Sequence, residues 1–115
     1  MLFRSARRSL SACSSSTRGV FAGGYTPSIV NTIDYITIAS TGNAVSFGQL
    51  TSARSELTAC SSSIRGLFGG GFIGTAQNTI DYITISSTGN ATRFGDLTVA
   101  RYGPAACSDS HGGLG

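Results

Sequence analysis

The chain has 115 residues, enough for one small domain or part of a larger one. It is 40% hydrophobic and only 11% charged, against roughly 25% charged in ordinary soluble domains, so its own layers or its neighbours must cover much of it. The basic side of its +3 formal charge is all arginine, with no Lys/Arg stripe interleaved with aromatics to mark a nucleic-acid surface, and no apolar run nears the roughly 18 residues of a membrane span.

The chain opens with MLFRSARRSLSACSSSTRGVFAGG, in which Arg4, Arg7 and Arg8 lie among serines and no acid. That is the composition of a transit peptide. Residues 12–24, ACSSSTRGVFAGG, return as ACSSSIRGLFGGG at 59–71, however, so this stretch reads as repeat body. The third segment behaves alike: NTIDYITIASTGNAVSFGQLTSAR from Asn31 comes back as NTIDYITISSTGNATRFGDLTVAR from Asn78. Setting Ala6 on Ala53 aligns the copies without a gap at a period of 47, with 30 of the 47 positions identical. A third copy begins at Ala100 and shares Arg101, Ala106, Cys107, Ser108, Ser110, Gly113 and Leu114 with the second. The expected division is therefore residues 1–5 as the end of a preceding strand, 6–52 and 53–99 as full repeats, and 100–115 as the opening of another.

Within a repeat the signals are all β. LTACSSS is a short strand; RGLFGGG is a second, ended by glycines that permit positive φ. NTIDYITIS, rich in Ile, Thr and Tyr, is the third; STGN is a turn and TRFGDLTV the fourth strand. No window places apolar residues at helical spacing over three turns. Strand alternation puts Ile33 and Tyr35 on one face and Asp34, Ile36 and Ile38 on the other, so both faces are largely apolar. A sheet stacked between similar sheets has that pattern.

Four short strands in each 47-residue unit fit a propeller blade. From Arg54, the succession of an ACSSS strand, the apolar pair Leu67 and Phe68, the doublet Gly70 and Gly71, a variable segment, NTIDYI and a late aromatic, Phe94, resembles the kelch repeat. The resemblance is to a divergent class: Phe47 and Phe94 stand where kelch units usually carry Trp, and the stretch before them is a few residues longer. It implies an all-β fold of kelch-like blades, each of four antiparallel strands, with the ACSSS strand innermost and the RFGDL strand outermost. The wording NTIDYITI, TGNA, FGDLT and ACSSS is also similar to repeats in structural proteins of marine tailed phages and related viruses. That resemblance implies a virion location, with the cytoplasm the alternative for a cellular kelch-type module.

Candidate chemistry is sparse. Cys13, Cys60 and Cys107 share one repeat position, where side chains aim alike and do not pair; reduced residues packed between blades are expected. His111 is the sole histidine and has no ligand-spaced partner, so no metal or other cofactor is expected. The copper oxidases of galactose-oxidase type, which also use kelch blades, need paired His and Tyr ligands that this chain lacks. Asp34 and Asp81 recur, as do Arg18 and Arg65, and Arg7, Arg54 and Arg101. Residues one period apart fall in different blades in one role, so a repeated hydrogen bond or ion pair is expected rather than an acid–base dyad. The Gly23–Gly24 and Gly70–Gly71 doublets lack the following Gly-Lys-Ser/Thr of a phosphate loop, and the glycosylation pattern at Asn90 is not kept at Asn43. The copies differ most between the doublet and NTIDY. If the chain recognises a protein or glycan, the binding residues are expected at Thr26, Pro27, Ser28, Ile29 and Val30 and at Ile73, Gly74, Thr75, Ala76 and Gln77. A non-catalytic structural module is the leading expectation, a kelch-type binding module the second. Homo-oligomers or neighbouring blades of a longer protein are the expected partners, with neither nucleic acid nor membrane among them. Phe47 and Phe94 are both expected to be buried.

Overall fold

The computed structural model describes residues 6–102, and among them it contains strands and turns but no helix. The first repeat supplies β1 (Ser11–Ser14), β2 (Arg18–Ala22), β3 (Thr32–Thr37) and β4 (Val45–Gln49). The second supplies β5 (Thr58–Ser61), β6 (Arg65–Gly69), β7 (Gln77–Thr84) and β8 (Thr92–Arg101). They form two antiparallel four-stranded sheets, ordered β1-β2-β3-β4 and β5-β6-β7-β8.

Local chemistry shapes each hairpin. Between β1 and β2 the Ser15 hydroxyl accepts from the Arg18 amide while the Ser15 amide donates to the Arg18 carbonyl; Ser62 and Arg65 repeat both bonds between β5 and β6. β2 and β6 end at Gly23–Gly24 and Gly70–Gly71, at φ 68° and 106° and at 69° and 109°. Only glycine adopts such a pair without strain, and the chain there leaves its ladder to reach the next segment. β4 and β8 each carry a bulge, with Phe47 extra opposite the step from Ile33 to Asp34 and Phe94 extra opposite the step from Ile80 to Asp81, beside the buried acid.

The sheets pack face to face around one core. Residues paired across antiparallel strands share a face, so the register Cys13↔Val20↔Tyr35 and Ala22↔Ile33 defines one face of the first sheet. That face meets Gly66, Phe68, Ile83 and Ile85 of the second sheet, and the buried core runs through both. The approach is close. A Cβ on Gly66 would lie 2.6 Å from Cys13 Sγ, and one on Gly48 would lie 2.0 Å from the Gly89 carbonyl oxygen. A larger residue at Gly48 would have to displace the Gly89 backbone, and one at Gly66 the Cys13 side chain.

Burial of Phe94 is not observed. Phe47 is 3% exposed, whereas Phe94, its counterpart, is 55% exposed and makes an edge contact with Tyr82. The reason is position: Phe47 lies between the sheets, and Phe94 is on the face of the second sheet that looks away from the first.

Candidate functional site

Two arginines root the sheets. Arg54 Nη1 donates to the Gly70 and Thr79 carbonyls at 2.8 and 2.7 Å, and Nη2 donates to Asp81 Oδ2 at 2.8 Å. Arg7 repeats the arrangement on Gly23, Thr32 and Asp34 at 2.9, 3.0 and 3.1 Å. Both ion pairs are fully buried. The guanidinium fork suits this place because it meets two carbonyls and a carboxylate in one plane, which an ammonium group cannot do. Burial pulls the Arg54 guanidinium below its usual pKa, and the charge and hydrogen bond of Asp81 oppose that shift. Asp81 also accepts from the Thr51 amide at 3.1 Å and the Thr51 hydroxyl at 2.6 Å, so the end of the first repeat is tied into the second sheet. The repeated ion pair is thus present. Its cations are Arg7 and Arg54; Arg18 and Arg65 lie instead over the rings of Tyr35 and Tyr82.

Arg54 serves both sheets. Its carbonyl accepts from the Gly24 amide at 2.8 Å and its amide donates to the Val30 carbonyl at 3.2 Å, both in the first repeat, while its side chain enters the second. Arg101 repeats the backbone half, accepting from the Gly71 amide at 2.9 Å, and is itself exposed.

The two variable segments connect β2 to β3 and β6 to β7. Each closes on its own sheet. Tyr25 bridges to Ile29, and the Thr26 hydroxyl and amide donate to the Ser28 carbonyl. Val30 belongs to the joint at Arg54, and Pro27 and Ser28 form the exposed tip. In the second segment Phe72 bridges to Ala76, the Ile73 amide donates to the Thr75 carbonyl, and Ile73, Gly74 and Thr75 are exposed. Gln77 already belongs to β7 and turns its amide back onto Thr75. Arg8 stands over the ring of Tyr25, a cation–π contact that the second copy, with Ser55 against Phe72, does not keep.

The cysteines follow their face. Cys13 is buried against Gly66 and Cys60 is half-buried; both are thiols. Burial, with a smaller contribution from Cys60, pushes the Cys13 thiol up to about 12. Cys107 and His111 lie outside the described residues. Among the described residues no group of three or more His, Cys, Asp or Glu could hold a metal ion, and no helix is long and apolar enough to cross a membrane.

One arrangement between the sheets was not read from the sequence. The turn after β7 lies along the edge of β4. The Gly89 amide donates to the Phe47 carbonyl and the Ala91 amide to the Gln49 carbonyl, both at 2.8 Å, while Asn90 Oδ1 accepts from the Gln49 amide at 3.1 Å. The only sequence signal for it is that Gly-Asn-Ala is kept in both copies. Arg18 adds a bond across the sheets, donating to the Ile85 carbonyl at 3.0 Å, and the Ser61 hydroxyl donates to the Ser14 carbonyl at 3.0 Å. No protein-family model matches the chain, and no curated protein is significantly similar to it.

Proposed function

We propose that the chain is a non-catalytic structural module of a virion, a part of a fibre, appendage or decoration, built from divergent kelch-like blades. The observation that carries this reading is how the polar side chains are used. Asp34 and Asp81 hold Arg7 and Arg54 in fully buried pairs, and Thr51, Arg18 and Asn90 bond one sheet to the other. Groups that an active site would leave available for substrate are here committed to architecture. The antiparallel strand orders β1 to β4 and β5 to β8 suit four-stranded blades, and in kelch units the edge strands β1 and β5 would be the innermost. The test is quantitative proteomics of purified virus particles from cells that carry the sequence. Stoichiometric copies in the particles are expected; recovery only in the cellular fraction refutes the virion assignment. A second reading, a kelch-type module that binds a protein or glycan, draws on Ile73, an apolar residue 42% exposed on a variable loop. Glycan and peptide arrays probe it, and binding lost on replacing Pro27–Ser28 or Ile73–Thr75 would favour it.

A further inference from the structure

The contact between the two sheets is heterologous: one face of the first repeat meets the opposite face of the second. Because the repeats align position for position, the face of each sheet left uncovered among the described residues is equivalent to a face already used. On the second sheet, Leu67, Ile80, Tyr82 and Phe94 stand where Val20, Ile33, Tyr35 and Phe47 of the first make the contact. On the first sheet, Ile36 and Ile38 stand where Ile83 and Ile85 receive it. Exposure follows use, at 53% for Ile38 against 1% for Ile85 and 55% for Phe94 against 3% for Phe47.

Glycine supplies a second, independent observation. Gly48 is required because the Gly89 carbonyl presses on it. Gly95, its counterpart, lies mid-strand in β8, and a Cβ there would meet nothing within 4 Å. Its backbone φ is not in the region that favours glycine. Gly in a strand interior weakens the strand and marks a bulge or a site where another backbone approaches closely. Gly48 and Gly95 both flank a bulge, but only Gly48 also has a backbone against it among the described residues, that of Gly89.

Resting on the structural-module reading, we infer that the occupant of both open faces is a second copy of this chain, docked head to tail so that its first sheet covers the second sheet of its neighbour. The contact repeats the internal one. The partner's turn at Gly42, Asn43 and Ala44 lies along β8 as Gly89, Asn90 and Ala91 lie along β4. The partner's Gly42 amide donates to the Phe94 carbonyl, its Ala44 amide donates to the Asp96 carbonyl, and its Asn43 Oδ1 accepts from the Asp96 amide. Arg65 donates to the partner's Ile38 carbonyl as Arg18 donates to that of Ile85. A face-to-face pairing of like surfaces satisfies none of these bonds.

The test uses the full chain in sedimentation velocity from low micromolar to several hundred micromolar, with far-UV circular dichroism to confirm folding. Wild type is expected to sediment above its 11.7 kDa monomer mass. Ile38→Asp and Phe94→Asp each spoil one face and leave the other intact. Each alone is expected to be monomeric, and an equimolar mixture is expected to give a capped one-to-one dimer. Gly95→Val, at a position with room for the side chain in the monomer, is expected to keep the fold and weaken self-association at least tenfold. A monomeric wild type across the range overturns the inference, as does a mixture that stays monomeric. Dimers of either aspartate variant alone also overturn it, because they require like faces to meet. Failure of the virion assignment leaves all these outcomes unaffected, so the two readings fall separately.

Discussion

Asp81 shows how one side chain can fix a joint. It neutralises Arg54 and accepts two bonds from Thr51. Asp81→Ala would leave the guanidinium buried without its counter-charge, a change that costs about 3–5 kcal/mol. Chemical denaturation is expected to show a loss of that size; a loss below about 1 kcal/mol would mean that the pair is solvated. Cys13 gives a prediction in pH. Its thiol ionises near 9.0 when exposed and at about 12 when folded, so the unfolded chain releases the proton first. Stability from this group is intact below pH 9 and is lost as pH rises from 9 toward 12, at up to about 1.4 kcal/mol per pH unit. Cys13→Ala is expected to flatten that decline in pH-dependent melting. In native protein, Cys13 is expected to react with iodoacetamide far more slowly than in urea.

At the scale of the strand, location in the stack outweighs sequence. Phe47 and Phe94 are the same residue in nearly the same words, FGQLT and FGDLT. Phe47→Ala is expected to cost about 3–5 kcal/mol, because it empties a packed site. Phe94→Ala in dilute monomer is expected to shift the melting midpoint by no more than a degree or two, since it removes only an edge contact with Tyr82. Equal losses would place both rings in equivalent surroundings. This asymmetry also marks what the sequence could convey. The period, the four strands, the turns and the glycine doublets were legible because alternation, turn residues and positive φ are local. The recurrence of Asp34 and Asp81 with arginines was legible as an ion pair, but the choice of Arg7 and Arg54 over Arg18 and Arg65 was not, since it depends on where the chain crosses between sheets. The role of Asn90 was illegible for the same reason: its partner, Gln49, lies in the other sheet and only packing brings them together.

For the molecule as a whole, the two sheets share a single core, so they are expected to unfold together. Differential scanning calorimetry of dilute chain should give one transition with equal calorimetric and van't Hoff enthalpies. Two transitions would mean that each sheet is stable alone, against the burial of Phe68, Ile83 and Ile85 under the first sheet. If copies stack, the midpoint should rise with protein concentration, as it does whenever association favours the native state.

Arg54 carries a consequence for the gene as well as for the fold. Its carbonyl belongs to the sheet before it and its side chain to the sheet after it, so the seam between units runs through a single residue. Recombination that adds or removes one 47-residue period, wherever the breakpoints fall, rejoins halves that already fit and leaves each internal arginine with both sets of partners. Length in this lineage can therefore change in whole units without any new boundary having to be invented, and natural variants are expected to differ by 47 residues or its multiples more often than by other insertions of similar size.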